Sequence, residues 1–319
     1  MEQPFIYKYR PKSLNDFEMS NEIIEFLQTL INIDNLNILL VGDNGCGKSS
    51  LIKCIIKEYY SKNYNSTNIL TINSLKDQGI SYYRYEVKTF CQTLCQLQNK
   101  KKFVVLDDID YINEQSQQVF RNCIDKYSNN TNFIASCSNI QKVIDSFQSR
   151  VMIIKIEPVK QEYLENILLK ISKNENLSIT DDAKNFLLSI SKNSIRTLIN
   201  YLEKLKLISN EITYNIVIDS CTNISFTNLI KYTELCKDRQ NLLEAIHLIY
   251  TIYDRGYSVM DILDTYFLFI KLTDILSEEN KYKIIKLLCK YITIFYNIHE
   301  DEIELALFTN NLINLLDNN

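Results

Sequence analysis

Along the first half of the chain, short apolar runs alternate with stretches whose apolar residues recur every three or four positions. Continuous apolar runs over 37–41, 68–72, 103–106, 132–137 and 152–156 predict strands covered on both faces. The longer spacing over 48–60, 82–98 and 115–127 predicts helices between them. Strands joined by helices imply right-handed crossovers, hence a doubly wound parallel α/β sheet. After Pro158 the strand pattern stops. Segments 161–174, 180–191 and 194–207 read as three short helices, a compact helical lid. From about Phe226 onward the pattern is helical again. Over 281–297, residues Ile284, Ile285, Leu287, Leu288, Tyr291, Ile292 and Phe295 spread across a face wide for a small unit. That width predicts burial of part of it against another chain. The expected divisions are an α/β domain over 1–157, a lid over 158–222 and a helical C-terminal domain over 223–319.

Composition narrows the class. Of 319 residues, 46% are hydrophobic and 23% charged, the balance of an ordinary globular protein. No run of eighteen apolar residues escapes a charge, so no membrane partner is expected. Residues 1–12 scatter charges among aromatics and lack the apolar core of a secretory signal, which predicts an intracellular protein. A net charge of −4 argues against coating nucleic acid along the whole surface, but leaves room for a local basic patch. Nine cysteines without a C-x-x-C pair, and two histidines, His247 and His299, make a zinc site unexpected. The cysteines read as reduced, mostly buried thiols, and the histidines as surface or interface residues.

The glycines locate the chemistry. The chain has five, and Gly42, Gly45 and Gly47 fall within six residues. Gly42-Asp43-Asn44-Gly45-Cys46-Gly47-Lys48-Ser49 matches G-x-x-x-x-G-K-[ST], the phosphate-binding loop, with Ser50 next in the helix it opens. A buried strand feeds the loop and an amphipathic helix leaves it, as the motif requires. Glycines let the backbone wrap a phosphate with its N–H groups inward, and the helix N-terminus adds partial positive charge. Lys48 would reach the β- and γ-phosphates, and Ser49 would ligate Mg²⁺. The partner segment runs Phe103-Val104-Val105-Leu106-Asp107-Asp108, apolar residues ending in two acids. Asp107 would hold Mg²⁺ through water, and Asp108 would orient the attacking water. ATP and Mg²⁺ are the expected ligands. These two motifs alone admit several families, nucleotide kinases included.

Further motifs resemble one family in chain order. Pro4-Phe5-Ile6-Tyr7-Lys8-Tyr9-Arg10-Pro11 resembles the W-x-x-K-Y-R-P opening of the small subunits of replication factor C, the AAA+ sliding-clamp loader, with Phe5 replacing Trp. Gln117-Gln118 and then 121–128 resemble its Q-Q-A-L-R-R-T-M-E-K-Y-S. Phe147-Gln148-Ser149-Arg150 resembles I-Q-S-R, and Asn193-Ser194-Ile195-Arg196 resembles the lid motif G-D-M-R. Tyr253 to Ser258, then Asp261-Ile262, resembles the G-Y-S-x-x-D-I turn of the clamp-loader collar. The similarity spans about Phe5 to at least Lys271. It implies an AAA+ ATPase domain, a lid and a collar that joins subunits. It also implies that Ile6 and Arg10 contact the nucleotide and that Arg196 senses the γ-phosphate. Arg150 would act in trans, as the finger reaching a neighbouring subunit's nucleotide.

The same resemblance implies the partners: other loader subunits, expected as a hetero-pentamer, a ring-shaped clamp, and primed DNA held without sequence preference. The expected place of action is the nucleus or another site of DNA replication. Gly79-Ile80, Arg84 and Lys88 resemble the family's DNA-facing segment, with Gln78 replacing its first Arg; at four-residue spacing Arg84 and Lys88 would share one helix face. Three departures mark open questions. Asp108 stands where the family has Glu, one methylene longer. Spacing back from Arg150 puts Ser138 at the polar sensor position after the fourth strand and Asn139 one residue late, so that either could serve, or neither. Asp43-Asn44 replaces Pro-Pro. The alternatives are a subunit that binds nucleotide but hydrolyses it weakly, and another AAA+ machine such as a helicase loader or branch-migration motor.

Overall fold

The computed structural model describes residues 3–17, 19–61, 64–73, 79–191, 193–221, 224–295 and 299–317. By its contacts the chain forms two compact units: Met1–Leu177 with Ser191–Glu203, and Ser178–Ile190 with Lys204–Asn319. The segments Ser178–Ile190 and Ser191–Glu203, assigned to different units, both lie in the stretch expected to be the lid.

The first unit is built on a parallel sheet of β1 (Ile38–Val41), β2 (Ile69–Asn73), β3 (Lys102–Asp107), β4 (Thr131–Cys137) and β5 (Met152–Lys155). Its order is β2-β3-β4-β1-β5. All five predicted strands form within one or two residues of expectation. Alternation along each strand splits the core into two layers. Ile38, Leu40, Phe103, Val105 and Ile134 pack with Leu51, Ile55 and Tyr59 of helix Lys48–Tyr60 and with Leu27 and Leu30 of helix Asn21–Ile33. Leu39, Val104, Leu106, Phe133 and Ala135 face the other way, onto Tyr83, Val87 and Cys91 and onto Val119, Phe120 and Cys123 of helix Glu114–Tyr127. Each buried Val, Leu, Ile or Phe among them contributes about 1.5–3 kcal/mol by leaving water. Because β1 is followed in space by β4 on one side and β5 on the other, the sheet switches direction at the C-terminal end of β1. That is where doubly wound sheets open a ligand crevice.

Two expectations need correction. Strand β5 is not covered on both faces: it is a sheet edge, Met152 and Ile153 are each 39% exposed, and Ile154 alone of its residues is buried. The helix expected over 82–98 is Ile80–Tyr82, a π-turn over Tyr83–Val87, then Lys88–Gln92. It stops at Thr93 because the buried Lys102 of β3 needs acceptors: its ammonium donates to Thr93 Oγ1 at 2.5 Å and to the Phe90 carbonyl at 3.4 Å. A helix beyond those predicted from the apolar spacing, Asn21–Ile33, precedes β1.

Among the described residues, the regular structure of the second unit is helical apart from the two-residue strands Ser178–Ile179 and Glu211–Ile212. Aromatic contacts run Phe186 to Phe226 to Phe269 to Tyr266 to Phe308, with ring centroids 5.4–6.0 Å apart. Gly256 turns the chain at φ +93°, a conformation that costs other residues strain, and Ser258 then caps helix Val259–Leu272 by accepting from Asp261 N. In helix Glu278–Phe295, Ile284, Leu288 and Tyr291 are buried while Ile285, Leu287, Ile292 and Phe295 are half-buried. Six of the nine free cysteines are buried, and His247 and His299 are exposed.

Candidate nucleotide site

The loop after β1 has the backbone that its glycines allow. Gly45 (φ +82°) and Gly47 (φ +104°) are left-handed, and a Cβ on Gly45 would lie 2.4 Å from Ser194 Oγ. The loop is anchored where Gly42 N donates to the Cys137 carbonyl of β4. Lys48 opens the following helix, is buried, and donates from Nζ to the carbonyls of Gly42 and Asp43 at 2.7 and 2.9 Å. An ammonium has three donors, so one remains to aim elsewhere.

The acids at the end of β3 meet this loop. Asp107 Oδ1 accepts from Ser49 Oγ at 2.9 Å and from Ser136 Oγ at 2.7 Å. Ser136, fully buried on β4, also accepts from Asp108 N at 2.9 Å, and so holds both acids. Asp108 turns the chain with φ 56°. Burial, and then the neighbouring Asp107 charge, push its carboxyl above the usual Asp range; Lys48 and Arg196 pull the other way. A hard oxygen pair at 2.9 Å, Ser49 with Asp107, fits a Mg²⁺ that draws its remaining ligands from water and phosphate. Among the described residues no group of three or more His, Cys, Asp or Glu is placed to hold a metal by itself.

These groups face one cleft of about 1080 Å³, lined by Ile6, Arg10, Asn44, Gly45, Gly47, Lys48, Ser49, Ser50, Asp107, Asp108 and Arg196 among others. The lining thus unites most of the residues singled out from the sequence. Arg10 Nε donates to Ser50 Oγ at 3.0 Å. Helix Gln161–Glu175 adds Asn166, Lys170 and Asn174, and helix Lys48–Tyr60 adds Lys53, none of which the motifs indicated. Burial and nearby Arg10 hold the Lys53 ammonium below its ordinary pKa. Cys46 faces a neighbouring cavity of about 660 Å³ with Met19, Ile23 and Ile156.

The two candidates for the sensor position engage different partners. Ser138 Oγ donates to Asn44 Oδ1 at 2.6 Å, on the phosphate loop. The Asn139 side chain instead caps a helical turn by accepting from Gln141 N at 2.9 Å. The backbone N–H groups of both donate to Asp110 Oδ2 at 3.0–3.1 Å, making Asp110 the anchor of this turn. Asp110 and Ser136 were invisible to motif reading, because a hydrogen bond between neighbouring strands leaves no fixed spacing in sequence.

Arg150 lies elsewhere on the same unit. It follows helix Asp145–Gln148, is not among the residues lining the cleft, and donates to Asp125 Oδ1 at 2.6 Å, the Ser146 carbonyl at 2.7 Å and Ser149 Oγ at 3.1 Å. Arg84 and Lys88 are both exposed, Arg84 within the π-turn and Lys88 just after it; Gln78 lies outside the described residues.

Comparison with known proteins agrees with this geometry. The family model for ATPases associated with various cellular activities matches residues 38–158. A replication factor C small subunit of Methanococcus maripaludis is 30% identical over 288 residues, covering 90% of each chain. Replication factor C subunit 5 of Homo sapiens is 28% identical over 300 residues, covering 92% of this chain and 86% of its own. Among solved structures, the Thermotoga maritima RuvB Holliday junction branch migration motor aligns with TM-score 0.54 at 15% identity, over 87% of this chain and 98% of its own, a likeness of fold. On the strength of the phosphate loop, the paired acids and near full-length similarity, the chain belongs to the replication factor C small-subunit family of AAA ATPases.

Proposed function

We propose that this chain is an ATP-hydrolysing subunit of a clamp loader, which helps place a sliding clamp on primed DNA during replication. The observation that carries the reading is the separation of two half-sites on one unit: a cleft with phosphate and metal groups, and Arg150 on a surface outside it. A P-loop ATPase whose arginine cannot serve its own cleft is suited to an assembly in which each arginine serves the next subunit.

In this reading Lys48 and the loop amides hold the β- and γ-phosphates, Ile6 and Arg10 close over the rest of the nucleotide, and Arg196 reports on the γ-phosphate. Ser49 and Asp107 would hold Mg²⁺, which offsets phosphate charge. Asp108 orients the attacking water, and its raised pKa suits it to accept a proton. Arg84 and Lys88 contact DNA phosphates, so binding would be independent of sequence and weakened by salt. The partners are related subunits in a hetero-pentamer and a ring-shaped clamp, and the place of action is the site of DNA replication. Among the described residues no helix is long and apolar enough to cross a membrane.

A second reading, a subunit that binds ATP but turns it over weakly, is favoured by two features: the short side chain of Asp108 and the engagement of Ser138 with Asn44. One experiment addresses both. The purified assembly should hydrolyse ATP faster when clamp and primed DNA are added. ATPase indifferent to both would overturn the clamp-loading role. Tight ATP binding at this subunit without turnover in the stimulated assembly would favour the second reading.

A further inference from the structure

Glu175 is an acid in an unfavourable place. It ends helix Gln161–Glu175, where the backbone carbonyls already concentrate negative charge, and its side chain is 3% exposed. Two donors from the N-terminal segment compensate it: Lys8 Nζ and Tyr9 Oη each donate to Glu175 Oε1 at 2.5 Å. Burial, and then this hydrogen bond, push the Tyr9 hydroxyl up to about 12, so it stays protonated as a donor. Nearby, Phe5 N donates to Glu203 Oε1 at 3.2 Å, and the buried Phe5 ring meets Tyr9 edge-on at 5.5 Å.

The next residues are held by another element. Arg10 Nε donates to Ser50 Oγ, and Cys54 Sγ donates to the Pro11 carbonyl, both groups on helix Lys48–Tyr60. Residues 5–11 therefore form a strap fastened at one end to helices Gln161–Glu175 and Ile195–Ile208, and at the other to the helix that opens with Lys48. Ile6, between the fastened Phe5 and Lys8, and Arg10, itself fastened to Ser50, line the cleft. Releasing the strap at Lys8 and Tyr9 would break two charge-assisted hydrogen bonds to a buried carboxylate, so the strap resists opening.

We infer that Glu175 is a positioning residue: by clamping Lys8 and Tyr9 it holds Ile6 and Arg10 over the cleft and sets how slowly nucleotide leaves. This rests on the ATP-binding reading above. The test uses the full chain and a fluorescent ATP analogue. Glu175→Gln keeps the shape and an acceptor for Tyr9 but removes the charge. It should raise the analogue's dissociation rate about tenfold to a hundredfold, the range for losing a charge-assisted hydrogen bond, with association little changed. Lys8→Met, at a side chain 48% exposed and so tolerant of change, should act in the same direction. The double variant should dissociate no faster than Glu175→Gln alone, because both changes break one link. An unchanged dissociation rate in either folded single variant, or additive effects in the double, would overturn the inference. If Glu175→Gln fails to fold, Lys8→Met decides by its own rate. A wild-type chain that binds no analogue would instead sink the ATP-binding reading itself.

Discussion

The cleft and the Arg150 surface belong to one unit but are held together by opposite means. In the cleft, Asp107 is locked by two hydroxyls at 2.7 and 2.9 Å, one of them from the fully buried Ser136, and Lys48 is buried against its own loop. Arg150 is 27% exposed and rests on Asp125, itself 41% exposed. An exposed ion pair of this kind contributes about 0–1 kcal/mol. The guanidinium can therefore leave Asp125 for a stronger anion at small cost, whereas Asp107 and Lys48 cannot move without breaking the hydrogen bonds that hold them. The difference teaches which half must be preorganised by the chain itself and which half can be completed on assembly.

Two substitutions probe the preorganised half. Asp108→Asn should lower turnover of the assembly by about 10²–10⁴, the usual range for a group that handles the proton, while nucleotide binding persists. It should also raise the thermal midpoint at neutral pH. A carboxyl whose folded pKa is raised favours the folded state less as pH climbs from the ordinary Asp value through the folded one, so removing its charge helps above that window and is neutral below it. A midpoint gain that did not shrink on acidification would contradict that cause. Ser136→Ala should act more weakly. Freed from one of its two hydroxyls, Asp107 would hold Mg²⁺ about tenfold to a hundredfold less tightly, as found when groups behind a metal ligand are lost. A Mg²⁺ titration of nucleotide binding measures this, and an unshifted midpoint would mean that Ser136 does no more than pack.

Much of this architecture could be read from the residues. Strands β1 to β5 betrayed themselves as continuous apolar runs, and the glycine cluster with Lys48 and Ser49 named the cleft. What escaped was set by contacts distant in sequence. The helix ending at Gln92 looked longer because its apolar spacing continues to Leu97; the acceptors demanded by buried Lys102 cut it short. Strand β5 was as apolar as its neighbours, and its place at the sheet edge left Met152 and Ile153 exposed. The sequence does not separate Ser138 from Asn139, whereas in the structure Asn139 accepts from the Gln141 N–H and Ser138 donates to Asn44. Glu175 carried no motif, since its partners Lys8 and Tyr9 lie more than 160 residues away.

The most direct test of the two-half account compares Lys48→Ala with Arg150→Ala in the reconstituted assembly, following both nucleotide bound per subunit and turnover. Lys48→Ala should empty this subunit's own cleft of nucleotide. Arg150→Ala should leave that cleft filled and slow hydrolysis at the adjoining subunit by about 10³–10⁵, the size of a trans arginine's contribution in other P-loop enzymes. If Arg150→Ala instead weakened nucleotide binding in its own chain, or left every site turning over at the original rate, the division of labour described above would be wrong.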